Sequence, residues 1–195
     1  MKRSTGVKEK VERAAIELFA ARGVDGVSIG DIAGVAGVSQ GALYRHYPSK
    51  EELAASLFMT AYLRMGGELD AIRAQQPDLE TRLGAMVAHF CALYDDDPAL
   101  FRFMLLAQHG VLPRLGREQR TPVKAVAEAV AEAAHRGELA DGSLDPVAAA
   151  AAIMGIVLQT ALFHVYGDLT GPLSARAPEL TRAAAAAVAA LAAAA

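Results

Sequence analysis

Between Gln40 and Lys50 the chain reads QGALYRHYPSK, which places two tyrosines, an arginine, a histidine and a lysine in one short stretch. All of these groups can donate hydrogen bonds outward. At about 100° per residue on a helix, Leu43 and Tyr47 fall together on one side. Gly41 and Arg45 fall opposite them, flanked by Ala42 and Tyr44, and Gln40 projects from the first turn. A glutamine pairs bidentately with adenine, and an arginine with guanine, in the major groove of DNA. Small residues at 41 and 42 let the helix backbone approach another surface closely. Tyr44, His46 and Lys50 stand where they can reach phosphates at the groove edge, and the first-turn amides of the helix that Lys50 opens also favour an anion. The chemistry these residues suit is the reading of double-stranded DNA.

The elements that must hold this stretch are legible around it. Val11, Ala15, Leu18, Phe19 and Arg22 recur at helical spacing, and Gly23 ends that first helix. Ser28 with Asp31 three positions on has the form of a capping box opening a second helix, whose buried stripe is Ile29, Ile32, Ala33 and Ala36. Gly37 stops it, because a glycine adopts positive φ without strain. Ser39 caps a third, very short helix that Pro48 ends, and Ser49 with Glu52 forms a second box opening a fourth. Two short helices joined by a three-residue turn containing glycine make a helix-turn-helix. Ala33 is small where the two helices cross, and Ile32, Ala36, Val38 and Leu43 fill the angle between them.

Composition bounds the rest. The chain has 195 residues and a net charge of −3, which argues against indiscriminate nucleic-acid binding. The charge is uneven: residues 1–54 hold eight Lys/Arg against seven Asp/Glu, and residues 55–195 hold eleven against fifteen. Lys2, Arg3, Lys8 and Lys10 give a modestly basic arm, whose bland reading is a solvated terminus. Cys91 is the only cysteine, so no intrachain disulfide and no cysteine-based zinc site is expected. The most apolar windows, near Ala148–Val165 and Ala183–Ala195, are alanine-rich or interrupted by Gln159 and His164, so no membrane span is expected. The N-terminus lacks a secretory apolar core. A cytoplasmic protein follows as the default.

The run AAIELFAARGVDGVSIGDIAGVAGVSQGALYRHYPSKEEL resembles the DNA-binding domain of TetR-family transcriptional repressors over about residues 8–54. The resemblance implies that Ser28, Ser39, Gln40, Gly41, Ala42, Tyr44, Arg45, His46 and Lys50 contact DNA. Many family members have Thr at 28, where Ser keeps the hydroxyl, and Thr or Ser at 42, where Ala removes a donor. Arg45 occupies a variable position and is expected to influence which operator is read. The resemblance also implies an all-α fold of about nine helices. A three-helix helix-turn-helix domain occupies residues 1–54, with its motif at 28–47. A helical effector-binding and dimerisation domain occupies 55–195.

Beyond the resemblance, helices are expected from Ser49 to about Gly66, Asp78 to Tyr94, Ala99 to His109, 121 to 136, Pro146 to about Tyr166, and from about Pro178 to the end. QQPD, GVLPRLGREQRTP, GELADGSLDP and GDLTGPLSARAP interrupt them. Asp95–Asp97 read as a solvated turn, without the ligand pattern of a calcium loop. The 146–166 helix is apolar nearly all round, and 183–195 offers only alanine, Val188 and Leu191, so both need covering. A homodimer through helices 146–166 and 178–195 covers them and sets two reading heads one helical turn of DNA apart.

Met59, Tyr62, Met86, Phe90, Tyr94, Phe101, Phe103, Met104 and Phe163 are the large or soft side chains of the ligand region. They serve as core, or line a pocket for a small, largely apolar effector, with His89, His109 or His164 as a polar anchor. No metal, no cofactor and no catalytic arrangement is expected: there is no Ser-His-Asp signature, no phosphate-cradling glycine loop and no cluster of metal ligands. The function expected is ligand-responsive transcriptional regulation, as a repressor released from a palindromic operator. The alternative is a helical small-molecule carrier that keeps the head as scaffold.

Overall fold

The computed structural model describes residues 3–116, 118–139 and 144–194. Among them every regular element is helical: α1 (Arg3–Arg22), α2 (Ile29–Ala36), α3 (Gln40–Tyr44), α4 (Lys50–Gln75), α5 (Leu79–Asp96), α6 (Pro98–Val111), α7 (Pro122–His135), α8 (Pro146–Tyr166) and α9 (Ala177–Ala194). Short 3-10 turns follow α6 at Leu112–Arg114 and precede α9 at Leu173–Arg176. This is the all-α, nine-helix fold expected from the sequence. Lys2 of the basic arm, Arg117, residues 140–143 of the second break and Ala195 lie outside the described residues.

The chain divides into two compact units, Met1–Ala61 with Pro98–Arg117, and Tyr62–Asp97 with Glu118–Ala195. In the first, α1 packs on α2 and on α6. Phe19 and Phe103 stack there with ring centroids 5.6 Å apart, and each is 1% exposed. The helical spacing of Val11, Ala15, Leu18 and Phe19 is thus a buried stripe. The basic arm, read as solvated chain, is from Arg3 onward the start of α1. No proline interrupts it, and the pairs Lys8–Glu12 (3.7 Å) and Arg13–Glu17 (2.8 Å) one turn apart favour the helix by a few tenths of a kcal/mol, about 0.3–0.5 each.

Local signals place α2 and α3. The Ser28 side chain accepts from the Asp31 amide at 3.1 Å, and Asp31 Oδ2 accepts from the Ser28 amide at 2.9 Å, so the capping box is complete. Gly37 takes φ 68°, and the Val38 amide donates back to the Ala33 carbonyl at 3.0 Å. The second box is only half formed. Ser49 Oγ accepts from the Glu52 amide at 3.2 Å, but the Glu52 carboxylate pairs with Arg114 at 3.4 Å instead of returning to Ser49.

In the second unit, α5 packs on α9 and on the Leu173–Arg176 turn, α7 on α8, and α8 on α9. Three sequence expectations are corrected here. First, α4 does not stop at Gly66 but runs to Gln75, and the glycine is there for a different reason. A Cβ at Gly66 would collide with the Arg120 carbonyl, so the missing side chain lets the backbone before α7 lie against α4. The continued helix is anchored by Arg73, which pairs with Asp70 at 2.7 Å and with Glu132 of α7. Arg82 of α5, 2% exposed, reaches the same Glu132 at 3.1 Å and donates to the Gln76 carbonyl at 3.0 Å.

Second, Asp95–Asp97 is not a solvated turn. α5 continues through Asp96, and the Asp95 carboxylate accepts from the amides of Leu173 and Ser174 at 2.8 and 2.9 Å. It caps the 3-10 turn that leads into α9, because first-turn amides have no partner within their own helix. Burial pushes the Asp95 carboxyl up, but the hydrogen bonds from Ser174 and Leu173 outweigh it and hold the group below the ordinary carboxylate range.

Third, Gln159 and His164 do not disqualify α8 by composition. It is long and apolar enough to cross a membrane, with a mean hydropathy of 1.9, and only 28% of that window is buried. Ala149, Ala150, Ile153, Val157, Ala161 and Val165 form its buried face. Val147 (59%), Phe163 (43%) and Tyr166 (62%) stand exposed on it. The remaining stops agree with their signals: Thr121 and Asp145 cap α7 and α8 ahead of a first-position proline, and Gly137 and Gly167 end them at positive φ.

Candidate nucleic-acid interface

The reading stretch is fastened on its inner side and open on its outer side. Leu43 is 1% exposed and Tyr47 8%, and burial of a leucine side chain contributes about 2 kcal/mol. Tyr47 adds a polar tie that the sequence reading missed: its hydroxyl donates to Glu12 Oε1 at 2.7 Å, across 35 positions of chain. Gln40, Gly41, Tyr44, Arg45 and His46 are all exposed, and Ala42 is half-buried. Tyr44, at 52%, is one of the most exposed large apolar side chains described. This is the face that the helical spacing predicts.

The two capping serines have local partners. Ser39 Oγ accepts from the Ala42 amide at 3.2 Å. Ser28 Oγ donates to Asp31 at 2.7 Å while accepting from its amide, and its hydroxyl remains at the surface of the first turn of α2. Those hydrogen bonds, side-chain first and backbone second, hold Asp31 below the usual carboxylate range. Lys50 is half-buried, and its ammonium donates to the Asp25 carbonyl at 3.1 Å with Glu51 3.9 Å away. It braces the turn between α1 and α2, a role invisible in its local spacing. Gln40 lies back over α2: a Cβ at Gly30 would stand 3.2 Å from Gln40 Nε2 and 3.5 Å from Ser28 Oγ.

The side chains nominated for an effector pocket fall in both units. Met59, Phe103 and Met104 belong to the first, where Met59 is half-buried and Phe103 stacks on Phe19. Tyr62, Met86, Phe90, Tyr94 and Phe163 belong to the second, where all but Phe163 are buried. Of the candidate polar anchors, His89 Nε2 sits 3.0 Å from Glu68 and His109 is exposed. The His164 ring meets Tyr94 edge to face at 6.0 Å. Burial first, then the Arg176 charge, pushes His164 toward its neutral form against the pull of Asp95. Cys91 is buried, and that burial pushes its thiol up to about 11, which leaves it protonated and unreactive at neutral pH. Among the described residues no group of His, Cys, Asp and Glu could hold a metal ion.

A capped helix-turn-helix with an open polar face on its second helix has the shape and chemistry to meet a DNA groove. Residues 13–57 match the model of the family described as bacterial regulatory proteins, tetR family. That stretch is similar to the family's domain, and the match is confined to this part of the chain.

Among curated relatives, MftR of Mycobacterium tuberculosis (strain H37Rv) is 38% identical over 71 residues, 36% of each chain. Its name ties it provisionally to the regulation of mycofactocin biosynthesis. The HTH-type transcriptional regulator YvdT of Bacillus subtilis is 39% identical over 56 residues, 29% of each chain. The match thus spans about a third of the length of these relatives. The fold extends much further. FadR of Bacillus halodurans, a fatty acid degradation regulator, superposes with a TM-score of 0.77 at 21% identity, covering 91% of this chain and 97% of its own. FadR of Bacillus subtilis, solved with stearoyl-CoA, gives 0.75 at 20% identity with the same coverage. The family and these relatives are named as regulators of transcription, not as enzymes.

Proposed function

We propose that this chain is a ligand-responsive transcriptional regulator that binds a palindromic DNA operator as a homodimer and acts as a repressor released by a small, largely apolar effector. The observation that carries this reading is the α3 helix. It turns Leu43 and Tyr47 inward and leaves Gln40, Gly41, Tyr44, Arg45 and His46 open to a groove. Residues 1–54 read DNA, with Ser28, Ser39, Ala42 and Lys50 completing the contact set. Residues 55–195 bind the effector and dimerise. Such a protein works in the cytoplasm, where the DNA is.

Two further observations support the finer parts. α8 and α9 keep exposed apolar side chains at Val147, Phe163, Tyr166 and Leu191, which is the face a second copy would cover. The B. subtilis FadR structure was solved with a long-chain acyl thioester, and an effector of that apolar class suits the methionine and aromatic side chains nominated here. Within the second unit, Tyr62, Met86, Phe90 and Tyr94 are the proposed contacts. A ligand releases DNA only through its different affinities for the DNA-competent and DNA-incompetent states.

The test is selection of duplex DNA from a random pool by the purified protein, followed by titration of the selected site at two salt concentrations. The expected result is a two-half-site motif. Tyr44→Ala should weaken binding, and Lys50→Ala should lower the salt slope by about one. Absence of any enriched motif at low salt, after refolding to strip bound ligand, would remove the reading.

A further inference from the structure

We propose that Gly30 is a specificity-determining position of the DNA-reading head, acting through Gln40. This rests on the function proposed above. Gly30 lies in the first turn of α2, not on the recognition helix α3, and it has no side chain with which to touch a base. Its role is the space it leaves. The carboxamide of Gln40 occupies that space, with Nε2 3.2 Å and Cδ 3.9 Å from where a Cβ on Gly30 would stand. The Ser28 hydroxyl borders the same place at 3.5 Å and is itself held by Asp31. Gly30 is therefore the floor of a shallow seat, and Ser28 one of its walls.

Bidentate pairing with adenine requires the glutamine amide to lie in the plane of the base with its oxygen and nitrogen pointed at the base edge, so the direction of the amide decides what Gln40 can read. A side chain at 30 closes the seat. The Cβ of an alanine comes closer to Nε2 than ordinary van der Waals contact, and the group that gives way is the mobile end of an exposed glutamine, not backbone. The amide then swings out along another χ while the fold stays intact. α2 has a built-in control in Gly34, four residues on, where a Cβ would meet nothing within 4 Å. Alanine there brings the same gain in helix propensity with no push on Gln40.

The experiment compares operator selection and competition binding for the full-length wild type, Gly30→Ala, Gly34→Ala, Gln40→Ala and the Gly30→Ala/Gln40→Ala pair, with thermal melts to confirm folding. Gly30→Ala is expected to change base preference by about tenfold, at the same operator position that Gln40→Ala relaxes. The pair should behave as Gln40→Ala alone, and Gly34→Ala as wild type. A Gly30→Ala effect at a different base, one that persists when Gln40 is already alanine, or none at all in a folded protein would overturn the inference. If the wild type selects no motif, the DNA-reading function itself falls, and that outcome is distinct from the others.

Discussion

The hydroxyl of Tyr47 donates a 2.7 Å hydrogen bond to the carboxylate of Glu12 and so ties the end of the reading stretch to α1. Burial first, and then Glu12, pushes the Tyr47 hydroxyl well above its ordinary value near 10. A group whose folded value is raised contributes stability below its unfolded value and loses it as pH rises toward the folded one. The bond therefore holds throughout the neutral range and weakens only in strong alkali. Tyr47→Phe keeps the ring and removes the bond, which should cost about 1–2 kcal/mol. Denaturant melts at pH 7 should show the loss, and operator affinity should fall with it as α3 loosens. An unchanged melt would mean that the bond adds nothing to what ring burial already supplies.

Asp95 makes the opposite pH claim. Its folded carboxyl lies below the ordinary range, so its contribution is present above an unfolded value of about 3.9 and fades as pH falls through the lower folded value. Asp95→Asn retains one acceptor for the Leu173 and Ser174 amides but loses the charge. At pH 7 the variant should be less stable than wild type by about 1–2 kcal/mol. The gap should close below the carboxylate range, as read from thermal melts between pH 7 and 2.5. A constant gap across that range would show that charge is not what Asp95 contributes.

Gly66 and Gly67 are adjacent in the same helix and should respond in opposite directions. A Cβ at Gly66 runs into the Arg120 backbone, whereas one at Gly67 meets nothing within 4 Å. Gly66→Ala should destabilise by about 1–3 kcal/mol, as overpacking does. Gly67→Ala should be neutral or stabilise by up to about 1 kcal/mol through helix propensity. Melts of the two single variants decide it. Equal responses would place propensity, not the Arg120 approach, in control of this turn.

The exposed face of α8 gives a prediction about assembly. Phe163 is 43% exposed in the single chain. Phe163→Glu puts a charge where the proposed homodimer buries a ring, so sedimentation should show the wild type as a dimer and the variant shifted toward monomer. The isolated fold should survive, because the side chain is outside its core. A monomeric wild type at micromolar concentration would count against the dimer.

The local grammar of the head was open in the sequence. Ser28 with Asp31, Gly37 at positive φ, Ser39 and Pro48 act within a few residues of themselves, so their spacing states their geometry. Leu43 and Tyr47 inside, with Tyr44 and Arg45 outside, follow from helical period alone. Tertiary structure decided whatever depends on a distant partner. Gly66 reads as a stop but is an approach site for Arg120, and Asp95 reads as solvated but receives amides from 78 and 79 positions away. Lys50 reads as a free cation but is held by the Asp25 carbonyl, and Glu52 leaves its box for Arg114. A residue's type and spacing limit what it can bond to. Which bond forms is set by what the fold brings within reach, and for Gln40 that was the space left open by a glycine ten residues earlier.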